Sequence, residues 1–174
     1  MEDYTIGLLA GLLFGAVIVL VIKLRHRGKL GTPAEKAEYL TKRRARMLPL
    51  LAIIFLCQQG AYLSTSPNGS VQAVKISAWL VLSILLIAAL ATKGFWLEPR
   101  EVRDLIDDEN TRANRNEGMR WGFLFSMAAA VGLYFFSMFE NLKGRESIHI
   151  IMTLGIAAAL IRWGYLERRA YRDA

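Results

Sequence analysis

Two copies of an eight-residue pattern place carboxylate and guanidinium groups at the same spacing, 69 residues apart. Both copies read L-E-x-R-x-x-R-D. They contain Glu98, Arg100, Arg103 and Asp104 in the first copy, and Glu167, Arg169, Arg172 and Asp173 in the second. Two arginines three residues apart share one helix face, and a planar guanidinium group binds two phosphate oxygens at once. We therefore expect these arginines to contact lipid phosphates or the acidic residues of the other copy's loop, and not to form a catalytic pair.

The acidic residues that follow the first copy are a second candidate group. Asp104, Asp107 and Asp108 would share one helical face, with Glu109 beside them, and such carboxylates can bind a divalent cation. Four arginines interleave with them, however, and the stretch has no glycine-containing calcium loop. We therefore interpret it as a salt-bridged, solvated face and expect no metal.

The sequence contains no recognisable catalytic signature. It has no G-x-S-x-G, H-E-x-x-H, P-loop or dinucleotide-binding pattern. The two histidines, His26 and His149, are predicted on opposite sides of the bundle and could not ligate one haem. The single cysteine, Cys57, forms no Cys/His zinc pattern. These observations predict a protein that is not an enzyme and carries no cofactor.

Long apolar runs position all of these groups. They cover residues 6–22, 48–64, 72–92, 121–139 and 147–163. Each is about as long as a helix must be to cross roughly 30 Å of hydrocarbon. The acidic start before the first run argues against a cleaved signal peptide. The sequence therefore predicts an all-α polytopic membrane protein in one domain, with one leading helix followed by two tandem helical hairpins.

A basic helix is predicted before the second run. Thr32, Pro33 and Glu35 supply an N-cap, a proline at the first helical position and a capping glutamate. The cluster of lysines and arginines that follows would attract anionic lipid headgroups. No nucleic acid partner is expected, because no aromatic residues or known binding module accompany the charges. The stretch from Glu38 to Lys42 also resembles that from Asp108 to Arg112, as a weaker part of the repeat.

Two features inside the apolar runs predict helix packing. Gly7, Gly11 and Gly15 fall on one face at a spacing of four, which allows another backbone to approach closely. Gln58 and Gln59 lie about ten residues into the second run, where an amide needs a hydrogen-bonding partner. We interpret these amides as contacts between helices. A bound quinone, lipid or other small ligand is the sharper alternative.

The lysines and arginines predict an orientation. Nine lie in residues 23–46, six in 93–120 and four from residue 162 onward, which places nineteen of the 22 on one side. By the positive-inside rule this side is cytoplasmic, with the N-terminus outside and the C-terminus inside. The same rule offers an alternative role for the repeated motif, in which its arginines only anchor helix ends at the membrane surface.

The stretch before Arg115 and the final L-E-x-R-x-x-R-D resemble small uncharacterised bacterial inner-membrane proteins, in which a D-E-x-T-R-like stretch leads into a two-helix hairpin. The resemblance covers mainly residues 107–173. It implies a location in the bacterial inner membrane and no particular activity. The first copy departs from it, with Glu38 and Tyr39 where the second has Asp108 and Glu109.

The glycine ridge, the duplicated hairpins and the missing catalytic chemistry predict a non-enzymatic structural or accessory component. Its expected partners are membrane lipids and other membrane proteins or further copies of the chain. The alternative is a small transporter or channel that uses the interface between the two hairpin repeats, lined by Gln58 and Gln59. A proton-coupled carrier is disfavoured, because no charged residue lies deep in any apolar run. A membrane enzyme is the third option.

Overall fold

The computed structural model describes residues 32–63, 69–92, 99–141 and 143–172. Within these ranges the chain forms five helices and no strand, namely α1 (Pro33–Leu63), α2 (Gly69–Thr92), α3 (Arg100–Ile106), α4 (Glu109–Phe136) and α5 (Gly144–Arg172). The all-α prediction is confirmed for these ranges. The predicted leading helix 6–22 lies outside the described residues, and with it the ridge of Gly7, Gly11 and Gly15. Glu98 and Asp173 of the repeated motif also lie outside them.

Three helices in the described part of the chain are long and apolar enough to cross a membrane. They are Lys75–Thr92 in α2, Glu109–Phe136 in α4 and Gly144–Ala170 in α5. The prediction of five such helices is therefore not met, and among the described residues it fails at the run 48–64. Residues 48–63 of this run are the second half of α1, whose first half is charged, and Pro49, Gln58 and Gln59 lower the mean hydropathy of this half.

Helix α1 begins as predicted but extends further. The Thr32 hydroxyl accepts a hydrogen bond from the Glu35 N–H at 3.3 Å, and the Glu35 carboxylate accepts one from the Thr32 N–H at 3.2 Å. This reciprocal pair confirms the predicted capping box. The basic helix and the second apolar run are not separate elements, because α1 continues through Pro49 to Leu63.

The hairpin of α4 and α5 is the most closely packed pair of helices in the described part of the chain. Gly118, Gly122 and Ser126 recur every fourth residue along α4 and face α5. A Cβ atom added at Gly122 would lie 2.7 Å from the carbonyl oxygen of Gly155 and 2.8 Å from Cβ of Ala159. The two backbones therefore approach as closely as small-residue packing allows.

Helix α5 is the centre of the bundle. It packs against α4 on one side and against α1 on another, and it also contacts α2. The core that these helices share contains Ala52 and Phe55 of α1 and Leu160 and Trp163 of α5, all at most 2% exposed. Because α1 and α5 run antiparallel, the start of α1 lies beside the end of α5. We call this end of the bundle, formed by residues 33–48, 99–120 and 162–172, the basic end.

The two copies of the repeated motif have different structures. Arg100, Arg103 and Asp104 lie in the short helix α3, which packs on α1 through Val102 and Ile106. The described part of the second copy, residues 166–172, is the continuous last part of α5. Pro99 explains the difference, since a proline is favoured at a helix start and lacks the N–H needed to continue one.

Candidate functional site

A buried ion pair joins α1 to the last part of α5 at the basic end. A guanidinium nitrogen of Arg44 lies 3.0 Å from Oε1 of Glu167, and the two side chains are 8% and 3% exposed. The indole N–H of Trp163 donates to the same Glu167 oxygen at 3.0 Å. Arg44 also donates to the Thr111 hydroxyl of α4 at 3.1 Å and lies over the Trp163 ring. Three helices thus meet at this ion pair.

A second contact between α1 and α5 compensates for the proline inside α1. Pro49 has no N–H, so the carbonyl of Ala45, four residues earlier, receives no helical hydrogen bond from it. Nε of Arg168 donates to this carbonyl at 3.0 Å. The proline ring lies against Gly164, where an added Cβ would be 2.7 Å from Cδ of Pro49. Helix α5 therefore supplies both the missing donor and the space that the ring needs.

This arrangement predicts that Arg168 and Pro49 are energetically coupled. Arg168→Met should lower the free energy of unfolding by roughly 1–3 kcal/mol, because a part-buried carbonyl loses its donor. In a Pro49→Ala background the N–H restored at position 49 can donate to the Ala45 carbonyl within α1, so the same substitution should cost less. A double-mutant cycle in detergent, with unfolding titrated by SDS, measures the difference.

Arg172→Met is the matched control for this cycle, because Arg172 is an exposed arginine of the same helix. It should change stability little in either background. Equal costs for Arg168→Met with and without Pro49 would contradict the compensation and leave Arg168 as a surface anchor.

A polar network lies inside the bundle where α1, α2 and α5 meet. The Thr153 hydroxyl accepts from the indole N–H of Trp79 at 3.0 Å and donates to Oε1 of Gln59 at 3.1 Å. The ring of His149 stacks on Trp79 with centroids 3.7 Å apart, and Phe55 stacks more loosely at 6.3 Å. The prediction that a glutamine amide bonds between helices is confirmed for Gln59.

The two glutamines of α1 contribute unequally to this network. The amide nitrogen of Gln59 is buried and has no hydrogen-bond partner among the described residues. Gln58, the neighbouring residue on α1, is only half-buried. One of the two predicted amides therefore belongs to the helix contact, because successive residues on a helix point about 100° apart.

A third polar group lies between α4 and α5 at the basic end. Arg162 lies over the rings of Trp121 and Tyr165, at 5.4 and 6.0 Å from their centroids. A carboxylate oxygen of Glu117 is 3.5 Å from the Arg162 guanidinium and accepts the Trp121 indole N–H at 2.9 Å. An arginine flanked by aromatic rings is typical of the headgroup level of a membrane.

The acidic stretch is salt-bridged as predicted but is not a shared helical face. Helix α3 ends at Ile106, and Asp108 then caps α4 by accepting from the Thr111 N–H at 2.7 Å. Asp107, between the two helices, is buried and lies 2.8 Å from Arg112 and 3.6 Å from Arg115. The prediction of a solvated surface is wrong for Asp107, because the break between α3 and α4 turns its side chain inward.

Of the motif's acidic and arginine residues that the structure describes, one lies in a buried site. Glu167 is in the core, whereas Arg169 and Arg172 are exposed and Arg100 forms an exposed pair with Asp104 at 3.7 Å. Arg44, Trp163 and Arg168 were not predicted as site residues. The sequence could have predicted that Arg44 faces the core, because Leu48, Ala52 and Phe55 continue its helix face at steps of three or four.

The arrangement at the basic end holds paired charges beside a small pocket lined by polar side chains. Glu167 is engaged by Arg44 and Trp163, and a polar pocket of about 180 Å³ lies beside it, lined partly by Thr41, Asn110 and Asn114. These groups can bind water or a small polar molecule. No protein-family model, curated protein or solved structure matches this chain.

Proposed function

We propose that the protein is a non-enzymatic integral membrane protein, a structural or accessory component that packs with other membrane helices. Its proposed location is the bacterial inner membrane, with the N-terminus outside and the C-terminus in the cytoplasm. Three apolar helices and the concentration of charge at one end of the bundle support the membrane location.

One observation carries the proposal of a packing partner. Only 6% of the most apolar stretch of α4 is buried within the bundle, compared with 50% for α5. The small residues of α4 face α5, so its large residues face outward. The exposed ones include Phe123, Leu124, Met127, Val131, Tyr134 and Phe135. An apolar face of this size must be covered by lipid or by another membrane helix.

In-membrane crosslinking tests this proposal. Single cysteines at Val131 and Tyr134 on the outer face of α4 should crosslink to a second copy or to another membrane protein, identified by mass spectrometry. A cysteine at Ser126, which faces α5, is the matched control and should not. If the protein purifies from native membranes in mild detergent as a partner-free monomer without these crosslinks, α4 is covered by lipid alone.

A small transporter or channel is the second candidate, and the network around Gln59 favours it. This network places a buried amide donor without a partner in the described residues where the two predicted hairpins meet. Specific flux into proteoliposomes that disappears in the Gln58→Ala/Gln59→Ala double variant would support this function. If the double variant retains the flux, transport does not depend on these two glutamines.

The proposed topology makes a separate prediction. In a Cys57→Ser background, cysteines at positions 66 and 143 should react with an impermeant maleimide from outside intact cells. Those at positions 29, 110 and 173 should react only after the cells are opened. The expected pattern rests on the proposal that the second half of α1, although less apolar than α2, α4 and α5, crosses the membrane beside α5 with the basic end inside. Labelling at position 110 in intact cells would contradict the proposed number of spans before it.

A further inference from the structure

A long apolar groove runs along the outside of the bundle between α1, α4 and α5. It has a volume of about 480 Å³, and Leu56, Phe125, Leu154, Ala158 and Ile161 are among its lining residues. Along α5 the lining extends from Leu154 to Tyr165, which is roughly 16 Å at 1.5 Å per residue. This length equals about half of the ~30 Å hydrocarbon core, the thickness of one leaflet.

The groove is polar at one end only. Arg162 lies there between Trp121 and Tyr165, at the basic end, and all three residues line the groove. The opposite end, at Leu154, is apolar. In the proposed membrane orientation the polar end lies at the headgroup level and the apolar end points into the hydrocarbon.

The charges around the polar end favour an anion. Arg162 and Arg120 face one carboxylate, that of Glu117, at 3.5 and 3.9 Å, so the cluster carries a net positive charge. Both distances exceed that of a short charge-assisted hydrogen bond. Nε of Arg162 is buried and has no hydrogen-bond partner in the described part of the chain, whereas the side chain as a whole is 35% exposed. The guanidinium group therefore has donors available for phosphate oxygens, which its planar shape suits.

We infer that this groove binds one anionic phospholipid, with an acyl chain along α5 and the phosphate at Arg162. The apolar length accounts for the chain, the net positive charge for the headgroup, and the two aromatic rings for the level at which the headgroup lies. The inference rests on the proposed membrane location. It goes further by assigning a specific lipid site in place of general attraction to anionic headgroups.

Lipid-dependent thermal stability tests the inference with the full chain in neutral detergent. Phosphatidylglycerol with two long chains should raise the unfolding temperature. Phosphatidylcholine, short-chain dihexanoyl phosphatidylglycerol and inorganic phosphate should do so much less, because each lacks either the anionic headgroup or the chain. Equal stabilisation by phosphatidylcholine, or by the compounds without long chains, would overturn the inference.

Two variants separate the headgroup contact from the chain contact. Arg162→Gln should weaken phosphatidylglycerol binding about tenfold, as expected for the loss of one charged hydrogen-bonding partner. Ala158→Leu keeps the charge and partly fills the groove, so it should also weaken binding. Arg145→Gln removes an exposed arginine outside the groove and should bind like the unchanged protein.

The results distinguish this inference from the proposed function. If the protein is extracted with membranes but all three variants bind phosphatidylglycerol equally well, the membrane proposal stands and the lipid site is contradicted. Dimers or heterocomplexes that Ala158→Leu abolishes, without any lipid selectivity in the unchanged protein, would instead assign the groove to a partner helix.

Discussion

Glu167→Leu is expected to lower the free energy of unfolding by about 3–5 kcal/mol. The substitution removes the Glu167 carboxylate from Arg44, whose side chain is 8% exposed, so a buried positive charge loses this counterion. It also removes the acceptor of the Trp163 indole N–H. SDS titration of the purified protein in mixed micelles measures the loss.

The double variant Arg44→Met/Glu167→Leu makes this prediction specific to the pair. It should recover much of the stability lost in either single variant, because two apolar side chains of similar volume need no counterion. The recovery should be incomplete, since Trp163 still lacks its acceptor. Losses that simply add in the double variant would contradict a direct Arg44–Glu167 interaction.

An exposed pair on α1 provides the control for the buried one. Glu38 and Lys42 are 2.6 Å apart, but both are on the surface. The pKa of Glu38 is lowered, first by the hydrogen bond from Lys42 and then by its positive charge. Solvent screens such a pair, so Glu38→Gln should leave the unfolding free energy unchanged within error.

Gly122→Leu should have the second large effect, on the hairpin of α4 and α5. A Cβ atom there would lie 2.7 Å from the Gly155 carbonyl oxygen and 2.8 Å from Cβ of Ala159, and these neighbours are mostly backbone. The helices must separate to admit a leucine, which costs typically about 1–3 kcal/mol and can cost more. We expect reduced thermal stability and easier proteolysis of the loop between the two helices.

Gly132→Leu is the matched control, because Gly132 lies in the same helix and an added Cβ would meet nothing within 4 Å. It should be neutral or slightly stabilising, since leucine favours helix more than glycine does. Equal destabilisation by both substitutions would mean that the glycines of α4 act through helix flexibility and not through close packing.

Local patterns predicted the presence of the long helices and the start of α1, but α4 begins earlier and α5 ends later than the apolar runs 121–139 and 147–163. The capping box at Thr32 and Glu35 depends only on residues three apart in sequence, and the structure contains it. The apolar runs in α2, α4 and α5 are long enough to identify from composition. The prediction of a separate helix that begins at residue 48 is wrong, because counting apolar residues does not reveal that the run continues a charged helix.

The repeat illustrates where local similarity stops being informative. Glu38 and Lys42 form an exposed pair within α1, whereas the corresponding Asp108 caps α4 and Arg112 binds Asp107. Matching residues of the two copies therefore have different structural roles, because the first stretch lies inside a helix and the second lies at the start of one. The spacing of the copies in the sequence does not distinguish a stretch inside a helix from a stretch at a helix start.

The sequence was sufficient to predict an all-helical chain with apolar spans and a basic end, since hydrophobicity, capping and charge are carried by neighbouring residues. Only the tertiary structure determined that Glu167, among the motif residues, becomes buried and that it pairs with Arg44, 123 residues away. The same holds for Arg168 and the proline of α1. These pairings depend on the rotation and register of α1 against α5, which many contacts between distant residues set together.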